Sequence, residues 1–274
     1  MFECSDSSHT VKLCIGADSV TVHLFGATVI SWVCGDQEQL FLSTKSKFDG
    51  SKAIRGGIPV VFPNFGPWEC GPQHGFARIS WWSHTTKPEH NENSLTFELE
   101  DNDETRRMWN FKFKLQYTVS LEGGKLLTEL KVINCDKVSF DFTTLLHTYF
   151  KIPDINECYI TGFDNCNYSD KVTGQSQLTE ANEKVYISGN VDRVYENTTS
   201  HHIHASGKIL YLEKSSTLSD TVLWNPWIEK AQGMSDFNDD GYKSMICVES
   251  GCVSNRKKLN PGETFVASQT VSKL

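Results

Sequence analysis

The strictest constraint on the fold is an alternation of apolar and polar residues through the middle of the chain. From Trp109 to Leu121, apolar side chains occupy every second position and polar ones fall between them. A period of two places neighbouring side chains on opposite faces of an extended chain, which predicts a long half-buried strand. The sequence Glu122-Gly123-Gly124-Lys125 then predicts a hairpin turn, and the alternation resumes at Leu126.

Shorter segments of the same kind recur along the chain, and turn residues separate most of them. They are predicted at residues 10–15, 19–25, 28–34, 94–100, 138–150, 207–214, 221–225, 244–250 and 263–271. No segment carries a sustained helical stripe, although a short helix is predicted over 176–183. Regularly spaced strands and turns favour an all-β fold, a large antiparallel β-sandwich. The absence of repeats and linkers favours a single domain over residues 1–274.

Charge and cysteine content narrow the classes of function. A formal net charge of -8 argues against nucleic-acid binding, which needs a basic field. The nine cysteines contain no CxxC pair and fit no zinc spacing, so reduced, mostly buried thiols in a cytoplasmic protein are expected. The N-terminal segment MFECSDSSHT does not resemble a signal peptide, and the apolar stretch 19–34 is too short and polar to span a membrane.

An irregular segment at residues 52–66, KAIRGGIPVVFPNFG, carries the first candidate binding group. Arg55 directly precedes Gly56 and Gly57, and two glycines without a Cβ allow a ligand to approach the main chain closely. Phe65, in the same segment, is a candidate either for stacking on a ligand or for packing.

A second loop, QHGFAR at residues 73–78, adds an amide, an imidazole and a guanidinium in Gln73, His74 and Arg78. Two arginines on two loops can clamp a phosphate, because each guanidinium donates bidentate hydrogen bonds. Spacing alone favours the simpler alternative, in which Arg55 and Arg78 are surface residues paired with carboxylates.

Two strand positions offer groups for proton transfer. In the strand 139–150, His147 lies on the more polar face, opposite the phenylalanines. Glu249 is placed at the end of the strand 244–249, just before Gly251. A histidine and a carboxylate so placed can act as acid and base, although a structural histidine and a solvated edge charge are the commoner cases.

Two further clusters are interpreted as structural. His201, His202 and His204 lie in a polar stretch with no evident carboxylate or cysteine partner, so an exposed strand or loop is expected rather than a metal site. Arg106 and Arg107 follow the acids of residues 101–104, and local charge pairing accounts for them.

Seven motifs in order along the chain resemble the aldose 1-epimerase superfamily. They run from residue 52 to about residue 266 and are RGGIPVVFPNFG, QHGFAR, LLHTYF, VDRVYEN, LWNPW, VESG and LNPGETF. The first two elements resemble in particular the hexose-6-phosphate mutarotases, also called glucose-6-phosphate 1-epimerases. The resemblance implies a galactose mutarotase-like antiparallel β-sandwich with its site in a cleft on one sheet.

The resemblance also implies roles for individual residues. His147 matches the general acid of the family and Glu249 matches its general base. Arg55 and Arg78 match residues of the family that contact the phosphate of the substrate. The residues that match sugar contacts are Gln73, His74 and Asp192.

The implied activity is interconversion of the α and β anomers of glucose 6-phosphate and related hexose 6-phosphates by acid/base ring opening. Such a reaction needs no cofactor and no metal, and a monomer that binds a small sugar phosphate, but no nucleic acid or membrane, is expected. Three alternatives remain open: an aldose 1-epimerase for neutral sugars, a non-catalytic carbohydrate-binding sandwich, and a glycosidase or lyase. The glycosidase is disfavoured because only one well-placed carboxylate is evident and two are usual.

Overall fold

A computed structural model describes residues 2–5, 9–85 and 92–274, so part of the N-terminal segment considered above for a signal peptide lies outside it. The strands are β1 (Phe2–Ser5), β2 (Thr10–Ile15), β3 (Asp18–His23), β4 (Thr28–Cys34), β5 (Gln37–Glu38), β6 (Val60–Val61), β7 (Ser83–Thr85), β8 (Ser94–Glu100), β9 (Phe113–Glu122), β10 (Lys125–Asn134), β11 (Phe140–Leu146), β12 (Tyr149–Lys151), β13 (Cys158–Thr161), β14 (Asn167–Asp170), β15 (Gln175–Thr179), β16 (Val185–Tyr186), β17 (Val191–Tyr195), β18 (His201–Ala205), β19 (Lys208–Lys214), β20 (Asp220–Asn225), β21 (Met245–Leu259) and β22 (Thr264–Lys273). The helices are α1 (Asp103–Met108) and α2 (Trp227–Gln232), with 3₁₀ turns at Ala77–Ile79, Ile155–Glu157 and Gly241–Ser244.

The strands form three antiparallel sheets. A five-stranded sheet has the order β1-β2-β3-β4-β5, and a nine-stranded sheet has the order β16-β13-β18-β19-β22-β10-β9-β8-β7. The third sheet has eight strands, in the order β15-β14-β17-β20-β21-β11-β6 with β12 also paired to β21. The predicted hairpin is confirmed, since Glu122 pairs with Lys125 and both intervening glycines have positive φ. The predicted antiparallel β-sandwich is therefore confirmed.

The eight-stranded sheet is buried on both faces, and this double burial positions the candidate site. Along β21, Ile246 and Val248 enter the large core that also holds the apolar residues of the nine-stranded sheet. Met245 and Cys247 point the other way, into a smaller core with Phe237 that α2 helps to cover. A polar residue on this second face is enclosed by protein without entering the main core.

Four predicted elements or element boundaries are wrong. The segment predicted as a helix, 176–183, instead contributes β15, which pairs with β14 across a turn at Gly174. The strand predicted from Trp109 begins at Phe113, because Asn102 caps α1 and Trp109 ends it. The strand predicted over 138–150 is divided into β11 and β12, with His147 at the break.

The fourth wrong boundary concerns Glu249, which is not at a strand end. The strand β21 continues to Leu259 because β11 pairs with it as far as that residue, while β20 pairs with it as far as Gly251. Gly251 lies within the strand, where an added Cβ would come within 2.9 Å of Leu145 Cδ1. The glycine therefore permits close packing rather than ending the strand.

The cysteine prediction is partly right. The described cysteines are free thiols, but only Cys158, Cys247 and Cys252 are buried, so the expectation of mostly buried thiols is wrong. Over the described ranges, no helix is both long enough and apolar enough to cross a bilayer.

Gly56 and Gly57 make room for the protein's own backbone rather than for a ligand, so that expectation is wrong. An added Cβ at Gly56 would lie 2.4 Å from the carbonyl oxygen of Phe41, and one at Gly57 would lie 2.0 Å from that of Val29. Both residues have positive φ. The contact at Gly57 attaches the segment carrying Arg55 to the five-stranded sheet, where Ile58 bridges to Val29.

We expect Gly57→Ala to lower the free energy of unfolding by about 3 kcal/mol or more, because the positive φ and the clash with Val29 both disfavour a Cβ. Gly16→Ala is the matched control, since Gly16 also has positive φ but has open space around its Cβ position. Its expected cost is about 1–2 kcal/mol. Denaturant unfolding measures both values, and equal costs would contradict the role assigned to the contact with Val29.

Candidate functional site

A cavity of about 350 Å³ opens on the outer face of the eight-stranded sheet, and we call it the site cavity. Its wall contains every candidate site residue named from the sequence: Arg55, Gln73, His74, Arg78, His147, Asp192 and Glu249. These residues come from segments nearly two hundred positions apart along the chain. The fold thus brings the whole predicted set into one enclosure.

His147 and Glu249 face each other at the base of this arrangement. The Nδ1 atom of His147 lies 3.3 Å from Oε1 of Glu249, and the two residues are 7% and 1% exposed. The imidazole of His147 stacks on the ring of Tyr149, with ring centroids 4.7 Å apart. The main-chain N–H of His147 donates to the carbonyl of Pro59. Within the part of the chain that the structure describes, neither Nδ1 of His147 nor Oε2 of Glu249 has an aligned hydrogen-bond partner. Buried polar atoms without partners are costly, so these two are available to a ligand.

Burial shifts the proton affinities of the pair in opposite directions. Desolvation, followed by the nearby Asp192, raises the pKa of Glu249 well above 4.5. Desolvation, followed by His74, lowers the pKa of His147 well below 6.5. Burial therefore favours the neutral form of both groups.

Arg55 and Arg78 lie half-buried on the cavity wall and keep donor atoms free. Arg55 donates from Nη1 to the hydroxyl of Tyr149 at 3.1 Å and from Nη2 to Asp236 at 3.2 Å. Arg78 donates from Nη2 to the carbonyl of Gln73 at 2.8 Å, and burial lowers its pKa to about 10. The Nε atom of each arginine is buried without a partner.

The alternative interpretation of the arginines as surface ion pairs fits only one of them. Arg55 pairs with Asp236. Arg78 makes no ion pair with any carboxylate in the described ranges, although it remains cationic at neutral pH. An unpaired, half-buried cation beside a second arginine is suited to binding an anion.

His74 presents a fixed hydrogen-bond donor to the site cavity. The main-chain N–H of Gly66 donates to its Nδ1 at 3.1 Å, so the neutral ring carries its proton on Nε2. Burial, followed by the charge of Arg78, lowers the pKa of His74 to about 2, so the ring stays neutral. Gly75 follows with positive φ, and its Cβ position would meet the carbonyl oxygen of Phe62 at 2.1 Å.

Sequence reasoning missed two lysines of the cavity wall. Lys230 lies 3.6 Å from the carboxylate of Asp192, and Lys171 lies 3.9 Å from the ring centre of Phe65. Both occur in stretches without a distinctive motif, so the sequence offered no signal for them. Trp224 lines the same wall.

Cys247 joins the acid and base in a compact group that was also not foreseen. One ligand-type atom each from His147, Cys247 and Glu249 lies within 4.8 Å of the others, and all three residues are buried. No local spacing in the sequence indicates this group, because Cys247 and Glu249 come from β21 and His147 comes from the break before β12.

A family model described as "Aldose 1-epimerase" matches residues 9–272 of the chain. The chain belongs to the aldose 1-epimerase family. A relative from Cenchrus ciliaris, named "Putative glucose-6-phosphate 1-epimerase", is 36% identical over 257 residues, which cover 89% of this chain and 78% of the relative. A relative of the same name from Escherichia coli K12 is 33% identical over 263 residues, covering 90% and 84%.

The same relationship appears in three dimensions. A solved structure from Salmonella typhimurium, described as a "putative mutarotase", superposes with a TM-score of 0.86 at 28% identity, covering 96% of this chain and 90% of that one. These findings confirm the predicted epimerase family, the isomerase class of enzyme and the sandwich fold.

The histidine cluster of this epimerase lies outside the site cavity, and one of its members corrects the sequence prediction. His201 is fully buried in β18, with Nε2 at 2.9 Å from the hydroxyl of Thr221, rather than exposed. Burial lowers its pKa to about 3. The expected local pairing of Arg106 is present, at 4.0 Å from Asp101.

We expect Glu249→Gln to flatten the fall in stability of this epimerase as pH rises above 4.5. The pKa of Glu249 in the folded chain exceeds 4.5, so the unfolded chain releases this proton at a lower pH than the folded chain does. The contribution of the neutral carboxyl to the free energy of unfolding is therefore lost as pH rises toward the folded pKa. The lowered pKa of His147 has the opposite effect, because it makes stability fall as pH decreases, and this effect is confined to pH values below 6.5. Above that pH, the Tm of the wild type should fall by a few degrees more than that of Glu249→Gln.

Thermal unfolding between pH 6.5 and 9 measures this difference. Glu122→Gln is the control, because Glu122 lies exposed at the hairpin turn. Parallel Tm profiles for the wild type and Glu249→Gln would show that the buried carboxyl does not titrate as described.

Proposed function

We propose that the protein interconverts the α and β anomers of glucose 6-phosphate and of related hexose 6-phosphates. The observation that carries the proposal is the close pair formed by His147 and Glu249, 3.3 Å apart, with unpartnered polar atoms in a cavity that also holds two arginines. The names of the two relatives describe an enzyme for the same substrate.

Anomer exchange requires the sugar ring to open and close again. Glu249, as the carboxylate, takes the proton of the C1 hydroxyl, while His147, as the imidazolium, gives a proton to the ring oxygen as the C1–O5 bond breaks. The open aldehyde turns about its C1–C2 bond and closes on its other face with the two roles reversed. One acid and one base each contribute about 10²–10⁴-fold to such a step.

The geometry of the site allows a proton to pass between the acid and the base. The reacting form needs one proton on the pair, held by His147. The 3.3 Å separation between Nδ1 and Oε1 provides the route by which this proton reaches the imidazole. Lys171 and Arg78 act against desolvation and favour the carboxylate form of Glu249.

The arginines support selectivity for a phosphorylated sugar. A phosphate between Arg55 and Arg78 accepts from donors that otherwise lack partners, including the buried Nε atoms. A neutral sugar leaves these donors unpaired, which disfavours its binding. Gln73, His74 and Asp192 are then left to hold the ring hydroxyls, and Phe65 or Trp224 offers an aromatic surface to the sugar face.

The proposal includes the organisation of the molecule. Residues 1–274 act as one domain, which is supported by a family match that extends over residues 9–272. The protein works as a monomer in the cytoplasm, with a small sugar phosphate as its partner and with no role for nucleic acid or membrane. The net charge of -8 supports the exclusion of nucleic acid.

We expect the protein to accelerate equilibration of freshly dissolved α-glucose 6-phosphate, followed by polarimetry or NMR exchange. His147→Ala and Glu249→Gln should each reduce the catalysed rate by about 10²–10⁴-fold, because each removes one of the two proton-transfer groups. His202→Ala, which removes a partly exposed imidazole from β18, is the matched control and should keep full activity. Turnover retained in either site variant would overturn the acid/base assignment, and no acceleration by the wild type would favour a carbohydrate-binding module.

We expect Arg78→Ala to lower kcat/KM for glucose 6-phosphate by about 10–100-fold and to change that for glucose much less. The reason is the loss of charged hydrogen bonds to phosphate, worth about 1.5–3 kcal/mol. Arg106→Ala, which removes an arginine paired with Asp101 away from the cavity, serves as the control. Equal losses for both sugars would remove the phosphate role, and faster equilibration of glucose alone would place the enzyme with the neutral-sugar epimerases.

A further inference from the structure

Cys247 lies beside the proposed acid and base but has no part in the ring-opening mechanism. It is two positions before Glu249 on β21, so both side chains point to the same face of the sheet. Tyr149 pairs with Cys247 across the sheet, which places His147 opposite Glu249. The three residues thus form one buried group, with ligand-type atoms within 4.8 Å of one another.

We propose that His147, Cys247 and Glu249 form a Zn²⁺ site, and that the metal, when bound there, inhibits the enzyme. Zinc takes nitrogen, thiolate and carboxylate ligands in a tetrahedron, and a site with three protein ligands keeps its fourth position open to water. The site cavity, which His147 and Glu249 both line, supplies that open position.

The geometry of the histidine and carboxylate already fits zinc. Bond lengths of about 2.0–2.1 Å at tetrahedral angles separate a ligand nitrogen from a ligand oxygen by about 3.3 Å. The observed distance from Nδ1 of His147 to Oε1 of Glu249 is 3.3 Å. Nδ1 of His147 has no aligned hydrogen bond, and Oε2, the second carboxylate oxygen of Glu249, has no hydrogen-bond partner among the described residues.

The charge balance also favours zinc over harder cations. When Zn²⁺ binds, the thiol of Cys247 and the carboxyl of Glu249 each release a proton to solvent, and His147 binds as neutral imidazole. Two anionic ligands then neutralise the charge of the metal, so the buried complex is neutral overall. A thiolate and an imidazole select zinc, whereas magnesium and calcium prefer oxygen ligands alone.

Metal binding would stop turnover because it occupies both groups that move protons. This inhibition rests on the proposed function, whereas the metal site itself does not. The two can be tested separately, since metal binding has a spectroscopic readout that needs no substrate.

Titration of the protein with Co²⁺, which replaces Zn²⁺ and is coloured, tests the site directly. We expect a thiolate-to-cobalt charge-transfer band and the visible bands of a tetrahedral ion, both lost in Cys247→Ala and kept in the control Cys252→Ala. Cys252 is buried on the same strand but hydrogen-bonds to the carbonyl of Asn255, away from the group. Cys247→Ser provides a second variant if the alanine variant does not fold. Bands that persist without Cys247, or that never form, would overturn the site.

Inhibition is then measured with buffered free Zn²⁺ in the anomer-exchange assay. We expect Cys247→Ala to keep its activity in the absence of metal and to need at least about tenfold more Zn²⁺ for half inhibition, with a chelator restoring the wild type. Equal sensitivity of wild type and variant would overturn the inhibitory role. A protein that shows the cobalt bands but turns over no sugar would retain the metal site and refute the proposed function alone.

Discussion

The structure depends on enclosing a carboxyl and an imidazole side by side without placing them in the main core. The eight-stranded sheet achieves this because both of its faces are covered: one faces the sandwich interior, and the other lies beneath α2 and the loops around Phe237. Glu249 and His147 are on the second face, where desolvation raises the pKa of the acid and lowers that of the imidazole. The same enclosure therefore disfavours the charged form of both groups.

The loops around this pair are fixed by contacts between backbones. Gly57 approaches the carbonyl of Val29, and Gly75 approaches that of Phe62. These two contacts fix the loop that carries Arg55 and the loop that carries His74 and Arg78. The five-stranded sheet thus contributes to the site by holding the loop that carries Arg55, although none of the sheet's described residues lines the cavity.

Much of this arrangement could be predicted from the sequence, because alternation with a period of two shows which face of a strand is buried. The hairpin at Gly123-Gly124 and the alternation from Phe113 onward were predicted from local pattern alone. The site residues were placed by seven ordered motifs, and all of them line the site cavity. The errors arose where tertiary pairing overrode local signals, as at β15, or where a strand was extended by its neighbours, as at Glu249.

Other features could not be predicted because no local pattern encodes them. Lys171 and Lys230 enter the cavity wall only through the packing of separate strands and helices, and the burial of His201 depends on Thr221 in another sheet. The proximity of Cys247 to His147 follows from the register between β12 and β21, which the sequence does not specify.

The contacts of Arg55 have a consequence for the entropy of ligand binding. Its guanidinium is held between the hydroxyl of Tyr149 and the carboxylate of Asp236 before any ligand arrives. A free arginine side chain loses rotamer freedom when it binds an anion, at a cost of about 0.5–1.5 kcal/mol. Here the fold has already restricted those rotations, so an anion that reaches Arg55 meets a preorganised donor whose ordering was completed when the chain folded.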